Sequence, residues 1–148
     1  MRTRQHSPWL RPGLGLLALQ AGVVGLWALV APRSFYADFP VWGGAWVGAL
    51  PPFNEHLIRD VGGLYTGFTV LFLWAAVVLD ETLVRASLVS WLPFAALHLY
   101  FHVTQSGSLE FSEAVLQNAL LAGVALIPIG LLSTMRRKRR AASFRPMR

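Results

Sequence analysis

The sequence predicts an all-α protein, a four-helix transmembrane bundle with a short interfacial segment in the first outer loop. Three observations predict it. The chain is 55% hydrophobic and only 14% charged, with a mean hydropathy of +0.50, whereas a water-facing domain carries about 25% charged residues. Four long apolar stretches lack any formal charge. The basic residues gather at the two ends of the chain. At 148 residues the length suits one domain.

The first stretch covers residues 13–31, between Arg11 and Arg33. Arg2 and Arg4 precede it, as in a secretory leader. The run exceeds a leader's usual apolar core of about 7–15 residues, and no small-x-small site precedes Pro32, so a span is expected. Residues 61–79 form the second, between Asp60 and Asp80; residues 86–103 the third, after Arg85; residues 114–135 the fourth, between Glu113 and Arg136. Each approaches the ~20 helical residues that cross ~30 Å of hydrocarbon. An open sheet would leave backbone groups unpaired in lipid, and the alternation of a barrel is absent. Residues 1–135 thus form the transmembrane domain and residues 136–148 a basic tail.

Cytoplasmic segments collect Lys and Arg. With both termini inside, the inner segments hold Arg2, Arg4, Arg11, Arg85 and the seven basic residues from Arg136 onward, eleven of the 13 in the chain. Only Arg33 and Arg59 then face outward. The net charge of +6 invites a nucleic-acid reading. A run Arg136-Arg137-Lys138-Arg139-Arg140 directly after a span instead suits an anchor on anionic lipid headgroups, so nucleic acid is not an expected partner. Lysine occurs once among the basic residues, which hints at a GC-rich bacterial genome and hence a bacterial plasma membrane. Cysteine is absent, which removes disulfides, thiolate metal sites and thiol nucleophiles.

The turn from Asp80 to Arg85 makes the second and third helices an antiparallel hairpin. The outer segment 32–60 is long for a compact domain. Within it residues 41–50 are too short to span, and Trp42 and Trp46 suit an interfacial segment at headgroup level. Asn54 is placed to cap the second membrane helix.

Functional candidates concentrate at the outer face. In Asn54-Glu55-His56-Leu57-Ile58-Arg59-Asp60, the pairs Glu55/Arg59 and His56/Asp60 are spaced to meet one helical turn apart. The first is expected as a structural ion pair. His98 and His102 end the third span with the same spacing. Glu110 and Glu113 precede the fourth, with Gln117 and Asn118 in its first turns. His56, His98, His102, Glu55, Asp60, Glu110 and Glu113 are therefore the candidate ligand or metal residues. Imidazoles and carboxylates of this kind hold zinc, iron or copper, but the His-Glu-x-x-His pattern is absent because Leu99 follows His98. The bland alternative is a histidine bonded to a carboxylate across the bundle. Polar residues inside membranes are costly and tend to mark sites.

Other features have plain readings. Gly62, Gly63 and Gly67 suit close helix packing. Trp74 and Trp91 suit a core or belt, and Gln20 one interhelical hydrogen bond. Ser87 and Ser90 have no histidine nearby, which disfavours a serine hydrolase, and no phosphate loop or dinucleotide fingerprint occurs.

The segment Pro52-Phe53-Asn54-Glu55-His56-Leu57-Ile58-Arg59-Asp60-Val61-Gly62-Gly63-Leu64, with His98 and His102 later, resembles small actinobacterial membrane proteins that look like distant DoxX-like four-helix proteins. The resemblance implies the four-span plan and an accessory role beside a membrane redox system; it brings no catalytic residues. Two functions are thus expected: a metal or small-ligand site at the outer face, or a structural or accessory subunit docking a membrane protein partner. Transport ranks behind both, since no charge lies at mid-membrane to form a relay.

Overall fold

The computed structural model describes residues 7–41 and 44–143. Five helices follow in order: α1 Leu10–Val30, α2 Pro32–Asp38, α3 Glu55–Val78, α4 Glu81–Thr104 and α5 Phe111–Ser143. Among the described residues there is no strand. Four of the helices, with α5 counted over Phe111–Met135, are long and apolar enough to cross a membrane. The chain is a multi-pass membrane protein. Its spans match the four expected stretches and begin three to six residues earlier, because a spanning helix continues into the headgroup layer, where polar caps and ion pairs sustain it.

Those caps come from the sequence. Asn54 Oδ1 accepts from the Leu57 amide at 3.1 Å and opens α3. Asp80 Oδ1 accepts from the Thr82 and Leu83 amides at 3.0 and 2.9 Å and opens α4. Leu79 takes a left-handed conformation between the two helices, so the hairpin turn needs only Leu79 and Asp80. Since α3 and α4 have 24 residues each, their far ends lie at similar height. That upper end is where α1 and α4 finish and α3 and α5 begin.

The bundle is two tight pairs facing each other. The most extensive contact joins α1 to α3, the next α4 to α5, and contact between α3 and α4 is sparse. Glycine explains the first pair. A methyl group on Gly62 would lie 2.6 Å from the Leu29 nitrogen, and one on Gly25 would lie 2.8 Å from the Thr66 nitrogen. The two backbones are nearly touching, as small residues permit in lipid. Gly62 thus packs as expected, together with Gly22 and Gly25 of α1; Gly63 and Gly67 have open space beside them and do not take part.

Aromatic rings fill the seam between the pairs. Trp91, 1% exposed, meets Tyr65 at 5.5 Å, Phe68 at 4.9 Å, Phe72 at 5.6 Å and Phe94 at 5.1 Å between ring centroids. Trp91 is a core residue. Trp74 is 60% exposed and faces outward. The buried core around these rings draws Leu14, Leu17, Ala18 and Ala21 from α1 and Leu131 and Met135 from α5.

At the upper end the expected interfacial element is displaced. The short helix is α2, directly after α1; Pro32 at its start supplies a ready helical φ. Phe35 of α2 packs edge-on against Trp27 at 6.0 Å, and Trp27 Nε1 donates to Ser34 at 3.2 Å. Residues 46–49 only form a turn, and Trp42 lies outside the described residues. This loop then crosses to the far pair, where the Ser108 amide donates to the Ala49 carbonyl at 3.3 Å. The backbone of α5 stays helical through Ser143. The side chains of Arg136, Arg137, Lys138, Arg139 and Arg140 lie outside the described residues.

Candidate functional site

Helix-end geometry brings the seven candidates to one height and then divides them by face. On α3, Arg59 meets Glu55 at 3.0 Å and His56 Nε2 meets Asp60 at 3.3 Å. Both pairs therefore form as their spacing predicts. Arg59 also donates to the Leu29 carbonyl near the end of α1, which ties the motif to the α1–α3 pair. The buried face of α3 carries Ile58, Gly62, Tyr65 and Phe72. His56 and Asp60, with side chains 87% and 56% exposed, project from the opposite face. They point away from the histidines of α4.

His98 and His102 lie elsewhere. Successive turns of α4 stack Phe94 on His98 at 5.2 Å and set His98 edge-on to His102 at 4.7 Å, which continues the aromatic seam upward from Trp91. His102 is 9% exposed. The side chain of Gln117, 5% exposed on α5, reaches it across the α4–α5 contact. Sequence reasoning named Gln117 only as a neighbour. Its signal was an amide in the first turns of an apolar helix, at the height of a histidine pair.

Two carboxylates at the start of α5, Glu110 just before it and Glu113 in its first turn, precede Gln117. Glu113 is half-buried, and its Oε2 accepts from the Glu110 amide at 3.4 Å, closing the first turn of the helix. Glu110 is exposed. Glu113 and Gln117, four residues apart, occupy one side of α5.

The expected seven-residue ligand set therefore does not converge. Among the described residues no three of His, Asp and Glu come together as a metal would require. The physical reason is rotational. A helix turns about 100° per residue, so equal height does not mean a shared face. What meets is a polar pair across two helices, His102 of α4 and Gln117 of α5. Nδ1 of His102, Oε1 of Gln117 and Oδ1 of Asn118 are all buried and have no hydrogen-bond partner among the described residues.

Two deeper polar atoms share that state, Trp91 Nε1 and Gln20 Oε1, so the expected interhelical bond of the Gln20 oxygen is not formed. Ser87 and Ser90 donate to the Leu83 and Ala86 carbonyls of their own helix at 2.7 and 2.6 Å, consistent with structural roles. Comparison with protein-family models, curated proteins and solved structures finds no match.

Proposed function

We propose that this protein binds a small ligand in the seam between the upper ends of α4 and α5, through His102 and Gln117, with His98 as the ring behind them. One observation carries the reading. Two side chains more than nine-tenths buried, His102 and Gln117, keep polar atoms without partners. A buried unpaired polar group costs about 1–3 kcal/mol, and such costs are retained where function needs the group. The upper end is then the outer face, the protein sits in the plasma membrane of a bacterium with both termini cytoplasmic, and the basic tail rests on anionic headgroups. The four-span plan and the Asn-Glu-His-Leu-x-Arg-Asp segment support placement beside the DoxX-like proteins.

Stability separates a ligand site from a structural lock. The variants His102→Leu, Gln117→Leu and the double are compared by melting in detergent. A ligand site, whose polar atoms already lack partners, predicts that each single variant melts at or above the parent, because nothing satisfied is stranded. A loss of several degrees in the single variants that the double variant recovers would identify the pair as a lock and sink the ligand reading.

A second reading, an accessory subunit docking another membrane protein, has its own support. On α3 the exposed residues His56, Asp60, Gly63, Gly67, Val70 and Trp74 repeat at the four-three spacing of a helix-packing seam, directly opposite the face that α1 covers. Substituting Gly67→Leu would shift a detergent-extracted complex toward the free chain if that face is used.

A further inference from the structure

We infer that the outward face of α3 is the contact between two copies of this chain, which pair in parallel about a two-fold axis along the membrane normal. This rests on the docking reading above and names the partner as a second copy.

The charged end of the face says what covers it. His56 and Asp60 project from α3 with side chains 87% and 56% exposed. All copies of a chain insert in the same direction, so two of them meet in parallel. A two-fold axis sets residue i against j and j against i, which brings His56 of each copy toward Asp60 of the other. A face of one sign would repel its own copy. An imidazole and a carboxylate four residues apart are instead complementary to a second such pair. His56 Nε2 already spans that turn to Asp60 within one chain, at 3.3 Å.

Packing gives the second argument. The buried face of α3 carries Ile58, Gly62, Tyr65 and Phe72, and Gly62 there lets the α1 backbone come almost into contact. Gly63 and Gly67 stand one turn apart on the other side, exposed and with nothing within 4 Å of an added Cβ. They form a second notch of the kind that α1 fills at Gly62, and small residues let spanning backbones approach closely. Two glycines present no side chain to the same glycines of a second copy, so identical faces do not collide where they cross. The outward wall of α1 is built differently, with Leu16, Leu19, Val23 and Leu26 each more than half exposed.

The chain has no cysteine, so single introduced thiols read the contact directly in native membranes. A disulfide needs Cα atoms about 4.4–6.8 Å apart, which only closely crossing helices supply. Gly63→Cys and Val70→Cys lie on the face, while Leu64→Cys and Leu73→Cys, at positions 69% and 51% exposed, lie to either side of it. Mild oxidation should convert most of the first two to a species of twice the monomer mass, and little of the flanking pair. Adding Gly67→Leu should abolish that product. In the Val70→Cys chain, His56→Asp should lower the yield severalfold, and the exchange His56→Asp/Asp60→His should restore it. A benzophenone maleimide on Val70→Cys reports any other neighbour by mass. Photoproducts of a different mass, without the disulfide dimer, would overturn the second copy while leaving a docking face in place. Equal disulfide yields at face and flank, or no product of either kind, would overturn both readings.

Discussion

Gly62 and Gly63 are neighbours in sequence with opposite roles. A Cβ at Gly62 meets the Leu29 backbone, whereas at Gly63 it meets nothing within 4 Å. Gly62→Ala must push α1 and α3 apart, and overpacking of that kind costs about 1–3 kcal/mol. Gly63→Ala adds a methyl in open space and removes the conformational freedom of glycine, worth up to about 1 kcal/mol in a helix. Thermal melting in detergent should therefore show a clear loss for the first and no loss for the second. Equal behaviour would mean that the two helices are not in backbone contact at Gly62. The ion pair one turn earlier needs a smaller estimate. Glu55 and Arg59 are each nearly half exposed, so their mutual attraction is screened to at most about 1 kcal/mol. The more useful service of Arg59 is its bond to the Leu29 carbonyl, one of the last carbonyls of α1, where a helix lacks internal donors.

Elements are joined across the bundle by the upper loop. Gly107, in the α4–α5 turn, has φ +61°, and a Cβ there would collide with the Ala49 carbonyl. That carbonyl is the one accepting from the Ser108 amide, so the loop after α2 is clipped to the far helix pair at a point only glycine fits. Gly107→Ala should release the clip while leaving all four spans intact. The expected outcome is faster protease cleavage within residues 39–53, with a helical circular dichroism signal unchanged at room temperature. Unchanged cleavage would show that the loop is held by other contacts, such as the Trp46 ring on Phe39 at 6.4 Å.

For the molecule as a whole, the arrangement of α1–α3 against α4–α5 sets where a polar site is tolerated. Glycine draws the first pair so close that its polar side chains are limited to the hydroxyls of Thr66 and Thr69, which lie beside Gly25 and Gly22 and donate to carbonyls of their own helix. The second pair, with no glycine in its contact, leaves room for imidazole and amide side chains at its upper end. Orientation in the membrane is a further whole-molecule property. Eleven of 13 basic residues fall on one side of the four-span plan, and the positive-inside rule predicts that this side faces the cytoplasm. Reporter fusions after Arg148 and within residues 32–60 should report opposite compartments, the first cytoplasmic. A C-terminus found outside would invert the bundle and place the α4–α5 seam at the cytoplasmic surface.

Hydrophobic length and the positions of charge are one-dimensional properties, and they settle one-dimensional questions. The four spans follow from apolar length, and the hairpin between the second and third was legible although its turn is Leu79–Asp80 and not the expected Asp80–Arg85. The Asn54 cap and the pairs Glu55/Arg59 and His56/Asp60 were legible because each depends on residues within about one turn of each other. Which face of a helix meets which partner is a different question, since lipid is as apolar as a leucine side chain and a spanning helix that is apolar all round does not declare its buried side. Hence His56 and His102 looked like companions from their heights alone. Only the packed bundle separated them, turning His56 outward opposite α1 and bringing His102 to Gln117. The close approach at Gly25 and Gly62 decided that rotation: α3 must present Gly62 to α1, and with that face committed, residues 56 and 60 have nowhere to point but away.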